Sequence, residues 1–364
     1  MPVRDDLADG VRAADIPEVA GVLTAGQVLA TGRSVAAMQQ PSGAIGWPDG
    51  HVDAWNHVEC AMALSVCGLA KPARRAYRWL AAAQRPDGSW PRETTGETVT
   101  NADAESNQAA YAAVGVWHEL QVTGDEEFAQ AMWPVVRRAI AFTLDLRTAR
   151  GEIRWKRAQD GTMADFALLA GSASIHQSLR CAMALAEFMG EPQPEWELAA
   201  DQLAHVIAAH PEAFADKSRF SMDWYYPVLG GAVRGRAAAD RLAGGWDVFV
   251  QPGLGARCVS DQPWVTGAET CELVLALDAL GDRDTALRLF GDVQHLRCED
   301  GSYWTGWQFA NQAHFPNERS SWTAAAIVLA ADALCGATGG ATLFHDAGAA
   351  TVTPVDPATC GCAV

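Results

Sequence analysis

The amino-acid sequence predicts an all-α chain closed into a toroid of six helical hairpins, one ring of helices inside another. Three observations lead there. A unit recurs six times along the 364 residues: a loop with Gly and Trp, an Ala-rich helix, a short break and an amphipathic helix. The pentapeptide Cys60-Ala-Met-Ala-Leu64 returns as Cys181-Ala-Met-Ala-Leu185 at the same place in its unit. No sustained period-2 alternation appears, so strands are not expected.

The Ala-rich helices fall at about 55–69, 104–121, 172–190, 224–233, 266–280 and 318–335. They are small or apolar nearly all round, which places them inside. The amphipathic helices fall at about 25–38, 71–84, 125–146, 195–209, 236–244 and 282–297. Phe128, Met132, Val135, Val136, Ile140 and Leu144 show their apolar stripe. Gly68, Gly124, Gly190 and Gly281 supply helix stops. The fourth pair, around 221–250, is the least regular. An open stack of hairpins needs polar end units. Here the first outer helix and the last inner helix both carry packing faces, which favours closure. The expected organisation is one domain over 1–336 and a Gly- and Ala-rich tail over 337–364.

Hydrophobic residues make up 49% of the chain and charged residues 20%, which excludes a disordered or fibrous protein. Lys and Arg total 27 against 44 Asp and Glu, a net charge of −17, and only Lys71, Lys156 and Lys217 are lysines. Such a surface repels phosphate backbones, so nucleic acid is not an expected partner. No apolar run reaches the ~18 residues of a transmembrane segment. The first residues lack a basic stretch followed by an apolar one, so the expected address is cytoplasmic. The nine Cys are then buried thiols rather than a disulfide framework.

The loops leading into the inner helices carry Trp47, Trp90, Trp155, Trp224, Trp264 and Trp304, with Trp307 close by. Indole rings around a cavity stack on sugar faces or enclose a hydrocarbon, and equally they plug the joints between hairpins. Polar residues gather at the same ends: Asp53, His57, Glu105, Asn107, His176, Asp223, Tyr225, Asp261, Glu269, His314 and Glu318. An acid at a helix start also has a purely structural use, capping free amides. Thr266-Gly-Ala-Glu269 fits a capping box, and Asp53 reads equally as an N-cap. Glu105 stands among other hydrogen-bonding groups, and Asp223 stands beside Trp224, Tyr225 and Tyr226. Aromatic surroundings raise a carboxyl pKa, which suits Asp223 to a general acid. A helix start lowers it, which suits Glu105 to a base or nucleophile. There is no phosphate-binding glycine loop and no Gly-x-Ser-x-Gly elbow. Cys258, Asp261, Cys271 and His314 have ligand chemistry but no zinc spacing, so no metal or other cofactor is expected.

Gln84-Arg-Pro-Asp-Gly-Ser-Trp90 resembles the QW-type repeat of terpenoid cyclases and protein prenyltransferases. Gln294 to Trp304 and Gln40 to Trp47 are looser copies. Thr123-Gly-Asp125 followed by Trp133-Pro-Val-Val-Arg-Arg-Ala-Ile140 is similar to the helix pair of six-hairpin glycosidases. Both resemblances imply an (α/α)6 toroid. The chain has no Asp-x-Asp-Asp of a class II cyclase and no Asp-x-Cys pair of a prenyltransferase. Its Asp-Asp-x-x-Asp, Asp5 to Asp9, lies outside every repeat.

The leading expectation is therefore a glycoside hydrolase-like enzyme that holds a saccharide in the toroid mouth. Asp223 and Glu105 are the expected catalytic pair, with Asp261 and Glu318 as further candidates. The expected substrate contacts are Trp47, Asp53, His57, Trp90, Asn107, His176, Trp224, Tyr225, Trp264, Glu269, Trp304, Trp307 and His314. The alternative is an isoprenoid enzyme of the cyclase or prenyltransferase kind, whose aromatic wall stabilises carbocations. A third reading is a toroid that binds or scaffolds without catalysis. Many buried carboxylates and amides favour sugar over hydrocarbon, because a hydrocarbon leaves them unpaired.

Overall fold

The computed structural model describes residues 16–345. The outer helices are α1 (Ala25–Ala37), α3 (Ala70–Ala83), α6 (Glu126–Asp145), α8 (Pro194–Ala209), α10 (Gly235–Phe249) and α12 (Arg283–Asp292). The inner ones are α2 (Ala54–Val66), α4 (Ser106–Ala110) continued by α5 (Ala112–Thr123), α7 (Leu169–Phe188), α9 (Ser221–Leu229), α11 (Gly267–Leu280) and α13 (Ser321–Cys335). The inner helices touch in the order α2, α5, α7, α9, α11, α13 and back to α2, so the ring is closed. Each outer helix packs on the inner helix of its own hairpin, except that α1 seals the seam against both α13 and α2.

Local chemistry explains the boundaries. Asp53, Asp125, Asp282 and Ser320 accept the N–H of the third residue of α2, α6, α12 and α13. Thr24 and Gln27 form a complete capping box on α1. Gly124, Gly281 and Gly336 end α5, α11 and α13 in the left-handed conformation. The irregular fourth hairpin is a short α9 that contains Pro227, paired with a longer α10.

Strands are present, contrary to expectation. β1 (His51–Val52), β2 (Glu93–Thr95) and β3 (Thr98–Asn101) form one small sheet. β8 (Trp264–Thr266), β9 (Gly306–Gln308) and β10 (Ala313–His314) form another. Two further ribbons join β4 (Ala104–Glu105) to β5 (Lys156–Arg157), and β6 (Val250–Gln251) to β7 (Gly255–Ala256). Segments of two to four residues are too short to show an alternation.

A Gln and a Gly in these loops staple one outer helix to the next, and in the first loop the Gln is Gln39, one residue before the Gln40 expected to open the motif. Gln39 donates through Nε2 to the carbonyls of Gly43 and of Pro72 in α3, and Gln84 donates likewise to Gly88 and to Val135 in α6. Gly43 and Gly88 have positive φ and lie directly on the carbonyls of Arg75 and Arg138, with no space for a Cβ. Gly301 makes the same approach to Ala30 of α1 and so joins the last outer unit to the first.

The first residues of the expected tail belong to the body of the protein. A 3-10 turn at Gly339–Thr342 packs on α5 and α13. The Leu343 carbonyl accepts from Gln177 at 2.7 Å and that of Phe344 from Arg234 at 2.9 Å. The rest of the tail, with Cys360 and Cys362, and the Asp5 to Asp9 motif lie outside the described residues. Among the described residues no helix is long and apolar enough to cross a membrane.

Candidate active site

A cavity of about 310 Å³ opens where the starts of four inner helices meet. α2 contributes Asp53, Trp55 and Asn56; α4 contributes Glu105, Asn107 and Gln108; α9 contributes Met222 and α13 Trp322. Trp47, His51, Arg92 and Glu93 complete the wall from the preceding loops and strands. Trp47 stacks on His51 at 5.5 Å and lies 5.8 Å from Trp322, centroid to centroid.

Four residues expected from the sequence line this cavity: Trp47, Asp53, Glu105 and Asn107. Asp53 accepts from the Trp47 indole at 3.0 Å, the Asn56 backbone at 2.9 Å and the Asn56 amide at 2.6 Å. All three partners donate, so its carboxyl is held as an acceptor at the rim. Glu105 accepts from Arg92 Nε at 3.0 Å. Burial raises its pKa, the Arg92 charge opposes the rise, and the Asp53 charge adds to it. The helix-start argument predicted the opposite sign. It fails because desolvation at a buried helix start outweighs the dipole.

Asp223 lies on the first turn of α9, where one oxygen accepts from the Ala170 N–H at 3.2 Å. Burial raises its pKa as expected, against the pull of Arg241. Its charged neighbours are Arg241, Asp216 and Lys217, whereas those of Glu105 are Arg92, Asp53 and Lys156. The two carboxyls expected as a pair thus sit in separate electrostatic surroundings. Asp261 is exposed and paired with Arg219 at 2.9 Å. Glu318 accepts from the Thr305 hydroxyl at 3.3 Å in the loop before α13.

Several expected substrate contacts are structural. Trp90 is buried and donates to the Leu80 carbonyl at 2.9 Å, pinning a loop to α3. Trp224 lies within α9, donates to the Arg241 carbonyl at 2.8 Å and stacks on Phe249 of α10. Tyr225 is fully buried with its hydroxyl on Glu272. His176 is buried and bonds the Gly230 carbonyl through Nδ1 at 2.7 Å. His57 accepts the Ile45 N–H on Nδ1 at 3.1 Å and donates from Nε2 to the Ala76 carbonyl at 3.0 Å. Helix period 3.6 turns some first-turn residues away from the axis, and loop position alone does not reveal which.

Burial lowers the His57 pKa from 6.5 to about 4. The unfolded chain therefore takes up this proton first. Stability is complete above about pH 6.5 and is lost as pH falls toward 4, by up to about 3 kcal/mol from this residue. Urea titrations at pH 7 and pH 4.5 should show a smaller loss for His57→Gln than for the natural chain.

Trp304, Trp307 and His314 cluster at one face of the sheet of β8, β9 and β10, whereas Trp264, paired with Gln308, lies on the opposite face. His314 stacks on Trp304 at 4.3 Å, the Arg319 guanidinium lies 4.7 Å from the same ring, and Phe315 covers Trp264 at 4.7 Å.

Glu269 departs from the capping box. Thr266 makes no side-chain cap to α11. Both Thr266 Oγ1 and Glu269 Oε2 are buried without a hydrogen-bond partner. A buried carboxylate oxygen without a well-formed hydrogen bond is costly and calls for an explanation; the Cys258 thiol lies beside this carboxyl. Glu269 stands on the first turn of α11, the inner helix between α9 and α13 in the ring, and is not itself among the residues that line the cavity.

Trp55, Trp322, Arg92 and His51 were missed. Trp55 and Trp322 lie two positions after the N-caps Asp53 and Ser320, not in the loops. That shared register was the available signal.

No known family's sequence profile matches the chain. It is similar to the MMP endo-(1,4)-3-O-methyl-alpha-D-mannosidase of Mycolicibacterium hassiacum, at 55% identity over 344 residues that cover 94% of both chains. A glycosidase in complex with glucose superposes with a TM-score of 0.68 at 14% identity, over 86% of this chain and 98% of that one. A rhamnosidase from Klebsiella oxytoca with rhamnose bound gives 0.61 at 17% identity, over 88% of this chain and 65% of that one. A D-mannose isomerase gives 0.59 at 12% identity, over 84% and 96%. These distant structures share the (α/α)6 fold, and one of them isomerises sugars, so fold alone does not select a reaction. The relative at 55% identity does: this glycoside hydrolase-like, carbohydrate-active enzyme belongs to the family of the endo-(1,4)-3-O-methyl-alpha-D-mannosidase.

Proposed function

We propose that the protein cleaves internal α-1,4 bonds of a 3-O-methylated mannose chain held in the 310 Å³ cavity. The observation that carries this reading is the wall itself, with the indoles of Trp47, Trp55 and Trp322 beside the carboxylates Asp53 and Glu105. Ring faces take the C–H face of a sugar while carboxylates and amides take its hydroxyls. Met222 is the aliphatic side chain of this wall and offers the methyl ether a polarisable surface without a polar atom to leave unpaired. An isoprenoid would leave Gln108, whose Oε1 is buried without a hydrogen-bond partner, unsatisfied.

In this reading Glu269 is the general acid. In its protonated form the Glu269 carboxyl donates to the glycosidic oxygen and passes it the proton as the bond to the sugar carbon breaks. Asp53, held as an acceptor, is the opposing base or nucleophile. Glu105 and Arg92 clamp sugar hydroxyls, and Asp223 shapes the wall through its neighbour Met222. The cluster of Trp304, Trp307 and His314 carries the outer part of a long chain. Asp261 and Glu318 take no part. The seven described cysteines are all free thiols, which supports a cytoplasmic address.

The test is product analysis on defined α-1,4-mannooligosaccharides with and without 3-O-methyl groups. Internal cleavage with preference for the methylated chain is expected. Release of single terminal residues, or equal turnover of both chains, overturns the assignment.

A further inference from the structure

Below the cavity lies a buried polar core of the toroid that catalysis as described does not use. Glu59 and Glu272, on α2 and α11, both line a small enclosed space on the ring axis. Each is almost completely buried. Glu59 Oε1 accepts two donors, the Trp55 indole N–H at 3.1 Å and the Tyr111 hydroxyl at 2.9 Å. The rings that carry these donors are parallel, 4.7 Å apart and 12° from coplanar. Tyr226 meets the Trp55 ring edge-on at 5.9 Å, and its own hydroxyl donates to Glu272, as does that of Tyr225. Trp322, the indole opposite, makes no well-formed hydrogen bond of its own, yet its side chain lies close enough to Glu59 to favour the charged form.

We propose that Glu59 is a positioning residue for the saccharide site: by taking the Trp55 and Tyr111 donors on one oxygen it locks their ring stack as the floor of the cavity. A free indole N–H would compete for sugar hydroxyls and let the ring rotate. With that N–H satisfied from below, Trp55 presents only ring carbon to the substrate, which suits the C–H face of a sugar. Glu272 holds Tyr226, which abuts the Trp55 ring edge-on, by its hydroxyl from the other side of the axis. Burial raises the pKa of both carboxyls; the Asp53 charge adds to the rise at Glu59, and the Glu59 charge adds to that at Glu272. The site therefore rests on a polar layer that spans the toroid from α2 to α11. This role rests on the saccharide reading for its consequence, but the anchoring itself does not.

The experiment follows the Trp55 indole directly. Its Nε1–H resonance is assigned by its disappearance in Trp55→Phe, and its hydrogen-exchange rate is measured in the natural chain, Glu59→Gln and Glu59→Leu. Glu59→Gln keeps the accepting oxygen and should keep slow exchange; Glu59→Leu should speed exchange by about tenfold or more, a loss of ~1.4 kcal/mol of protection. On the methylated mannooligosaccharide, Glu59→Leu should raise KM about tenfold while kcat falls less than about threefold, and Glu59→Gln should restore KM. A purely structural role would lower the melting temperature without this split. Tyr111→Phe removes one of the two donors and is read the same way where Glu59→Leu does not fold, with a smaller rise in KM expected. Unchanged exchange and unchanged KM in a folded Glu59→Leu overturn the proposal; if only Tyr111→Phe folds, an unchanged KM in that variant overturns it. If the natural chain does not cleave the mannoside, the functional reading falls and the exchange rates alone decide whether Glu59 anchors Trp55.

Discussion

Glu269→Gln should lower kcat on the methylated mannooligosaccharide by about 10²–10⁴-fold, the usual worth of a general acid. The substitution preserves size and removes the proton. Glu269 is 5% exposed with one oxygen unpartnered, so the neutral amide should leave the melting temperature unchanged or raise it. Asp53→Asn should lose turnover to a similar degree. Asp53 caps α2 through the Asn56 N–H, which Asn also satisfies, so folding should survive. Glu105→Gln and Asp223→Asn are the informative comparisons. Glu105→Gln weakens the contact to Arg92 and should act mainly on KM, whereas Asp223→Asn should act weakly on both constants. Full activity of Glu269→Gln together with dead Glu105→Gln and Asp223→Asn would reinstate the pair that the sequence pattern suggested.

Gly301→Ala should destabilise the protein by about 2–5 kcal/mol, read as a shift of the urea midpoint. Gly301 has φ +88°, and an added Cβ would lie 2.6 Å from the Ala30 carbonyl carbon. Two effects combine. A left-handed residue other than Gly costs about 1–2 kcal/mol, and overlap with backbone that cannot move aside adds about 1–3 kcal/mol. Gly161 separates them: its φ is also +88° but nothing lies within 4 Å of its Cβ position. Gly161→Ala should therefore show only the first cost. Equal effects at the two sites would mean that the contact of Gly301 with α1 does not hold the ring seam shut.

The fold was legible because it is a repeated local rule. Asp125 before α6, Gly124 and Gly281 after α5 and α11, and the Ala-rich inner faces each announce themselves within a few residues. Six copies of one weak pattern make a strong one. The staple formed by Gln84 and Gly88 was visible as a motif, but its purpose was not, because its partners lie in α6, some fifty residues away.

The site was legible as a neighbourhood rather than as a constellation. Helix starts of a closed toroid converge, so Trp47, Asp53, Glu105 and Asn107 were placed by topology alone. Which first-turn residue faces the axis depends on helix phase, and that phase separates Trp55 and Trp322 in the wall from Trp224 on the α10 side. The capping reading of Thr266 and Glu269 fits their spacing perfectly well; only the folded chain shows that the bonds are not made. The sequence by itself determined the all-α toroid, the number of hairpins and the polar, aromatic character of its mouth, because these follow from periodicity and composition. Tertiary structure alone decided which carboxylates are capped, which are paired and which is left without a partner, because burial and hydrogen bonding are set by residues far apart in the chain.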